Sequence, residues 1–155
     1  MAEKTMVLGD LGHTTKCLSN NFVPINIGFI AAYLQSLYKE KLKIVLFKDS
    51  IKLISYIKKN KVDVLALSNY TWNVNLSMYC SKIYKQYHPK GALIIGGPNI
   101  HYDKSEIHSW LIKHDFVDFL IETEAEAVCN NIIEKLFEND FDIDFTVDFP
   151  GIASL

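Results

Sequence analysis

Four short runs hold the residues able to do chemistry. Ser68-Asn69-Tyr70-Thr71-Trp72-Asn73 sets six side chains in succession that can hydrogen-bond or stack. A turn built for structure alone rarely spends two large aromatics this way. Gly96-Gly97-Pro98-Asn99 opens with two residues lacking Cβ, which permits positive φ and close approach of a ligand to the backbone. Asp10-Leu11-Gly12-His13 begins a polar stretch reaching Val23 and Pro24, too long for a simple turn. Glu122-Thr123-Glu124-Ala125-Glu126 suits the start of a helix, where free amides donate and acids fit the dipole. What is missing narrows the chemistry. There is no GxGxxG and no GxxxxGK[ST], so a dinucleotide or P-loop site is excluded. Asp10 has no acidic neighbour. Cys17, Cys80 and Cys129 lie far apart, forming no CxxC pair and no CxxxCxxC loop for an iron–sulfur cluster. They read as core or loop thiols. No residue has a defensible acid, base or nucleophile role, which leaves binding.

The elements between these runs explain why the runs belong together. Short apolar segments at 5–9, 43–48, 62–68, 92–95 and 116–121 read as strands, the third largely apolar and central. Helices fill the gaps. Ile27, Ile30, Ala31, Leu34, Leu37 and Tyr38 mark one helical face, and Leu76, Tyr79, Cys80, Ile83 and Tyr87 another. Asp49 or Ser50 caps a helix reaching about Asn60, and Pro89 with Gly91 closes the one before them. Segments 104–114 and 124–139 are the last two helices, the second apolar at Val128, Ile132, Leu136 and Phe137. The tail reads as irregular, with a short extended piece near 146–149. The repeated β-α pattern predicts an α/β fold: a doubly wound, Rossmann-like or flavodoxin-like parallel sheet of five strands with helices on both faces. Ligands of such sheets sit outside the C-terminal strand ends, where all four runs fall.

Composition sets the outer limits. The 155 residues are 49% hydrophobic and 22% charged, as in a single globular domain. Net charge is −2, and all 16 basic residues are Lys. Without a positive field or an Arg fork, nucleic acid is not a predicted partner. The longest apolar stretch, 23–34, is too short to span a bilayer and carries Pro24 and Asn26, so no membrane role is predicted either. The opening residues lack a signal-peptide core, and a cytoplasmic location is expected. Eight Lys fall within 39–61 and nine acids within 122–148, as solvated surface or, for the acids, a docking edge for another domain.

Taken in order, these residues resemble the cobalamin-binding domain of cobalamin-dependent radical S-adenosylmethionine enzymes. Pro24-Ile25-Asn26-Ile27-Gly28-Phe29-Ile30-Ala31-Ala32-Tyr33-Leu34 looks like that family's P-x-x-x-G-x-x-x-A-x-L helix. Residues 62–68, Ile94-Ile95-Gly96-Gly97-Pro98-Asn99, residues 117–122 and Phe149-Pro150-Gly151-Ile152 follow in the family's order. Two departures stand out. Thr123 and Ala125 occupy positions where the family often has glycine. A branch of cobalamin domains carries D-x-H-x-x-G, whose His binds cobalt; here His13 falls one residue late and Thr15 stands where Gly is needed.

The resemblance implies cobalamin as cofactor, with no iron–sulfur cluster in this chain. It implies a carrier of methyl groups or redox-active cobalt for a radical S-adenosylmethionine domain, downstream or separate, of a methyltransferase-type enzyme. The cofactor is expected tail-displaced and without a His–cobalt bond. Its nucleotide tail would enter beside the third and fourth strands, where Ser68, Gly96 and Gly97 leave room and Tyr70 or Trp72 covers the benzimidazole. Leu11, Gly12, His13, Val23 and Phe22 would lie under the corrin. Asn69, Thr71, Asn73, Pro98, Asn99, Glu122, Thr123 and Glu124 complete the expected contacts. Residues 1–145 then form the binding domain and 146–155 an exit segment. A docking surface left bare predicts a homo-oligomer. The competing class is a flavodoxin-like FMN or nucleotide binder, for which Thr14, Thr15 and Ser19 suit a phosphate, or a cofactor-free interaction domain.

Overall fold

The computed structural model describes residues 3–13, 23–99, 103–143 and 149–154. The order of elements is β1 (Lys4–Gly12), α1 (Ile25–Tyr38), a 3-10 turn (Lys39–Lys41), β2 (Leu42–Asp49), α2 (Ser50–Lys59), β3 (Val64–Ser68), α3 (Val74–Tyr87), β4 (Ala92–Gly96), α4 (Lys104–Lys113), β5 (Phe119–Ile121), α5 (Ala125–Glu138) and β6 (Ile152–Ala153). The sheet runs β2-β1-β3-β4-β5-β6. The first five strands are parallel, and β6 pairs antiparallel with β5, Leu120 opposite Ala153 and Ile121 opposite Ile152. The predicted doubly wound sheet is therefore present, with six strands instead of five. The sixth comes from the tail; of the extended piece expected near 146–149, residues 144–148 lie outside the described residues and Phe149 is not in a strand.

Strand alternation divides the core in two. Met6, Leu8, Val64, Ala66, Ala92, Ile94, Phe119 and Ile121 point to the face covered by α1 and α5. Val7, Leu65, Leu67, Leu93, Ile95 and Leu120 point to the face where Leu53, Ile57, Cys80, Tyr84, Ile107 and Leu111 of α2, α3 and α4 pack. Two-residue periodicity is the whole cause.

Helix starts follow their caps. Asp49 Oδ1 accepts from the amides of Ile51 and Lys52 at 2.8 and 3.0 Å, and Asp103 Oδ1 does the same for Ser105 and Glu106. Helix faces correct two predictions. On α1, Ile27, Ile30, Ala31, Leu34 and Tyr38 turn inward, but Leu37 is half exposed. On α3 the buried residues are Ser77, Met78, Cys80, Ser81 and Tyr84, whereas Tyr79 and Tyr87 face outward. Small serines let α3 approach the sheet closely, and Tyr84 lies beneath with its hydroxyl near the carbonyls of Val62 and Ala92 at 3.3 and 3.2 Å. β1 also runs further than predicted, to Gly12, so Leu11 and Gly12 belong to a strand that shifts register against β2 after Gly9. No helix among the described residues is long and apolar enough to cross a membrane.

Candidate cofactor site

The C-terminal ends of β3, β4 and β5 do not close against α1 and α5. Between them lies a cavity of about 380 Å³, floored by Leu8, Ala66, Ile94 and Ile121. Its walls are Asn26, Ile27 and Ile30 of α1 and Ala125 and Cys129 of α5. Its mouth is Ser68, Tyr70, Gly96, Gly97, Pro98, Glu122, Thr123 and Glu124. The cavity exists because the outermost inward positions of β3 and β4 are small: Ala66 and Ser68 on one, Gly96 on the other. A Cβ on Gly96 would come within 3.3 Å of Ile121 Cβ, on this same face.

One polar cluster stands at this mouth. Asn26 Nδ2 donates to Ser68 Oγ at 3.2 Å and to Tyr70 Oη at 2.8 Å. Both hydroxyls accept there, so each keeps its own proton to donate elsewhere. Burial, then the nearby Asp10 charge, raises the Tyr70 pKa, which holds the phenol as a donor at neutral pH; the Asn26 bond opposes this. The Tyr70 ring stacks on Trp72 with centroids 4.4 Å apart and planes 9° from parallel. Behind that pair is a second, shallower hollow of about 240 Å³ lined by Asp10, Leu11, Gly12, Val23, Pro24, Lys48, Tyr70 and Trp72. Half-burial raises the Asp10 pKa, and Lys48 pulls it back.

The remaining predicted residues act on the loops. Asn69 is buried; its Nδ2 donates to the Asn99 carbonyl at 3.1 Å, and the Asn99 amide donates to the Asn69 carbonyl at 3.2 Å. This clasp holds the β3–α3 loop against the glycine loop. Gly97 is at φ +122°, and a Cβ there would meet the Asn69 carbonyl oxygen at 2.7 Å, so no other residue fits without strain. Thr71 Oγ1 reaches Asn99 Oδ1 at 3.5 Å. Asn73, fully buried, accepts from the Tyr70 amide at 2.8 Å and donates to the Leu11 carbonyl at 3.1 Å. His13 Nε2 lies 2.8 Å from the Trp72 carbonyl. Thus Asn69, Thr71, Asn73, Asn99 and His13 line neither hollow; they fix the loops that do. Phe22, Thr14, Thr15, Ser19 and Cys17 lie outside the described residues.

Thr123, in one of the glycine positions of the resembled family, packs its side chain against Gly151, whose φ is +90°. The Gly151 carbonyl accepts from the Glu122 amide at 2.9 Å, and that turn launches β6. Ala125 sits in the cavity wall. Both cysteines of the described residues are buried. Burial pushes the Cys129 thiol up to about 12, with Glu126 adding to it, and Cys80 up to about 11. Neither is a thiolate at neutral pH. Sequence reasoning missed Asn26, Ile27 and Ile30 as site residues. Their signal was present: one polar side chain beside two apolar ones on the inward face of the helix that starts at the strand ends.

Fold and cavity define a flavodoxin-like α/β domain with a cavity open at the C-terminal edge of its sheet. The chain belongs to the B12-binding family: residues 14–133 match the family described as the B12 binding domain. Cobalamin is accordingly its cofactor. One relative is 2-(S-pantetheinyl)-carbapenam-3-carboxylate methyltransferase of Streptantibioticus cattleyicolor, 33% identical over 75 residues, which is 48% of this chain and 11% of that protein. Another is the cobalamin-dependent radical SAM methyltransferase TokK of Streptomyces tokunonensis, 25% identical over 118 residues, 72% of this chain and 17% of TokK. The chain thus spans less than a fifth of either relative. Among solved structures, the cobalamin-dependent S-adenosylmethionine radical enzyme OxsB, with aqua-cobalamin and S-adenosylmethionine bound, aligns at TM-score 0.69 and 13% identity over 98% of this chain and 21% of its own. A CheY-like receiver domain from Methanospirillum hungatei JF-1 aligns at TM-score 0.55 and 11% identity, covering 90% of this chain and 98% of its own. Both structural likenesses concern the fold.

Proposed function

We propose that this chain holds cobalamin tail-displaced, without a His–cobalt bond, for a radical S-adenosylmethionine domain in the same or a separate polypeptide. The cavity of about 380 Å³ carries this reading. It is apolar within, donor-bearing at its mouth, and of a size for a nucleotide tail, while the corrin needs the open rim above the strand ends. The residues fit such a tail: Ala66, Gly96 and Gly97 leave the slot, Ile27, Ile30 and Ile121 line it, and Ser68 and Tyr70 present hydroxyl protons to acceptors. The Tyr70–Trp72 pair offers the aromatic surface at the edge. Leu11 and Val23 furnish the apolar side of the shallower hollow. Bound cobalamin supplies a cobalt centre that exchanges methyl groups or electrons; the chain itself binds, orients and excludes water. His13 has one ring nitrogen turned to the Trp72 carbonyl, and its spacing departs from the ligating motif. On this reading residues 1–145 are the binding unit, and 146–155, which carry β6, lead toward the partner domain.

The test is the visible spectrum after incubation with hydroxocobalamin and removal of free cofactor. Retained corrin bands of the tail-displaced form without nitrogen coordination are expected, unchanged in His13→Ala. A nitrogen-coordinated spectrum lost in His13→Ala overturns the account of the cobalt's lower face. An absence of retained corrin, with retention of FMN instead, transfers the cavity to the flavodoxin-like reading.

A further inference from the structure

α1 has a side that lines no part of the cavity. Its 14 residues, INIGFIAAYLQSLY, include no charged side chain. Every other helix carries Lys or Glu: Lys52 and Lys58 on α2, Lys82 and Lys85 on α3, Lys104 and Glu106 on α4, Glu134 and Lys135 on α5. A helix apolar on both sides is normally covered on both sides. The inner side of α1 is covered by the sheet and α5; among the described residues nothing covers the outer side. There Ile25, Phe29, Tyr33 and Leu37 follow at i+4 spacing, exposed by 64%, 61%, 39% and 50%.

We infer that this outer face of α1 is the contact between two copies of the chain. Three observations select a second copy as the occupant. The large residues form one ridge along the i+4 row, and the adjacent row, Gly28, Ala32 and Ser36, is small. A Cβ added at Gly28 would meet nothing within 4 Å, so the groove beside the ridge is open. The helix therefore carries a ridge and its matching groove side by side. A two-fold axis near Ala32 sets each ridge in the other's groove, the packing in which i±4 rows interdigitate. An uncharged helix can also meet itself without like-charge repulsion. Finally, with aromatic side chains of about 150–250 Å² and aliphatic ones somewhat smaller, the exposed parts of the ridge and of Ala32, Gln35 and Ser36 beside it come to roughly 500 Å² per copy, so a pair reaches the ~1,000 Å² of a specific interface. Asn26, Ile27 and Ile30, which line the cavity, belong neither to this ridge nor to the small row beside it. The inference stands whether or not the cofactor reading holds.

The test is the mass of the 155-residue chain by light scattering and sedimentation velocity, from about 1 to about 300 μM. The expected result is a concentration-dependent dimer. The double variant Phe29→Lys, Leu37→Lys is monomeric over the same range, and Ile112→Lys, an exposed apolar residue on α4, leaves the dimer intact. Circular dichroism verifies that each variant is folded, and corrin retention on the same samples reads the cofactor site separately. Ala32→Cys, beside the axis, is expected to give a disulfide-linked dimer on mild oxidation far faster than the unsubstituted chain. A monomer throughout the range, or a dimer that survives Phe29→Lys, Leu37→Lys, overturns the inference.

Discussion

The two faces of the sheet use the same strands to opposite ends. Toward α2, α3 and α4 the strands present Leu65, Leu67, Leu93, Ile95 and Leu120, all of them buried. Toward α1 and α5 the same strands finish in Ser68 and Gly96, after Ala66, and a cavity opens. One face is all branched aliphatics; the other loses bulk over its last turn of backbone. The site is thus a local subtraction from a core, made by three small residues one or two positions from large ones. Stability and binding are thereby assigned to side chains that are neighbours in sequence and opposite in direction.

That separation can be broken by substitution. The largest effect is expected at Leu65, fully buried on the closed face. Leu65→Ala is expected to cost about 3 kcal/mol of folding free energy while corrin retention by the folded fraction stays within about twofold. Chemical denaturation and a retention assay read the two quantities. Its neighbour Ala66 should behave in reverse. Ala66→Phe fills the floor of the cavity and is expected to weaken cobalamin binding by at least about tenfold, with stability changed by only about 1 kcal/mol because the ring enters existing space. Equal losses of both properties in both variants would dissolve the comparison. A finer effect is expected at Asn26. Asn26→Ala removes the donor shared by Ser68 and Tyr70 and leaves their hydroxyls unoriented. Binding is expected to weaken about five- to tenfold, the worth of one or two hydrogen bonds, with little change in melting temperature. A titration of cobalamin against this variant and Tyr70→Phe sharpens the assignment, since the two should not be additive.

Much of this division was legible in the sequence. Short apolar runs, a cap at Asp49, and polar or glycine-rich segments after each run gave the parallel sheet and the edge where the cavity opens. The glycine pair and Ser68, singled out from the sequence, line the cavity mouth, because side-chain types at strand ends are constrained by the space beside them. What escaped were features decided by which way a helix rolls. Leu37 shares spacing with Ile30 and Leu34 yet lies outward, because Tyr38 takes the inward position and stacks on Phe137, with ring centroids 5.2 Å apart. On α3 the aromatics signalled a buried face, and Ser77 and Ser81 were buried instead, since close approach to the sheet favours small residues over hydrophobic ones. β6 escaped because two residues added antiparallel at an edge have no periodicity to read. Asn69, Asn73 and Asn99 looked like ligand contacts and hold loops, since an amide that grips backbone and one that grips a ligand are the same residue in a sequence.

The smallest expected effect concerns Asp10, which extends the open-face series after Met6 and Leu8 and carries a charge where the other face has only hydrocarbon. Burial raises its folded-state pKa above the ordinary carboxylate value, and the attraction of Lys48 only partly reverses this. The folded chain therefore holds the proton more tightly than the unfolded chain. By linkage, this contribution to stability is fully present below the unfolded pKa of about 4 and is lost as pH rises through the folded one. At neutral pH the ionised Asp10 is a net burden on the fold. Asp10→Asn removes the charge and keeps the shape, so its melting temperature should exceed that of the parent at pH 7, and the difference should shrink toward zero as pH falls to about 3. Thermal melts of the two chains across that range measure it. If Asp10→Asn instead lowered the melting temperature at pH 7, with the loss vanishing in acid, Lys48 would dominate over burial, and Asp10 would have to be reassigned from a desolvated group to one half of a stabilising ion pair.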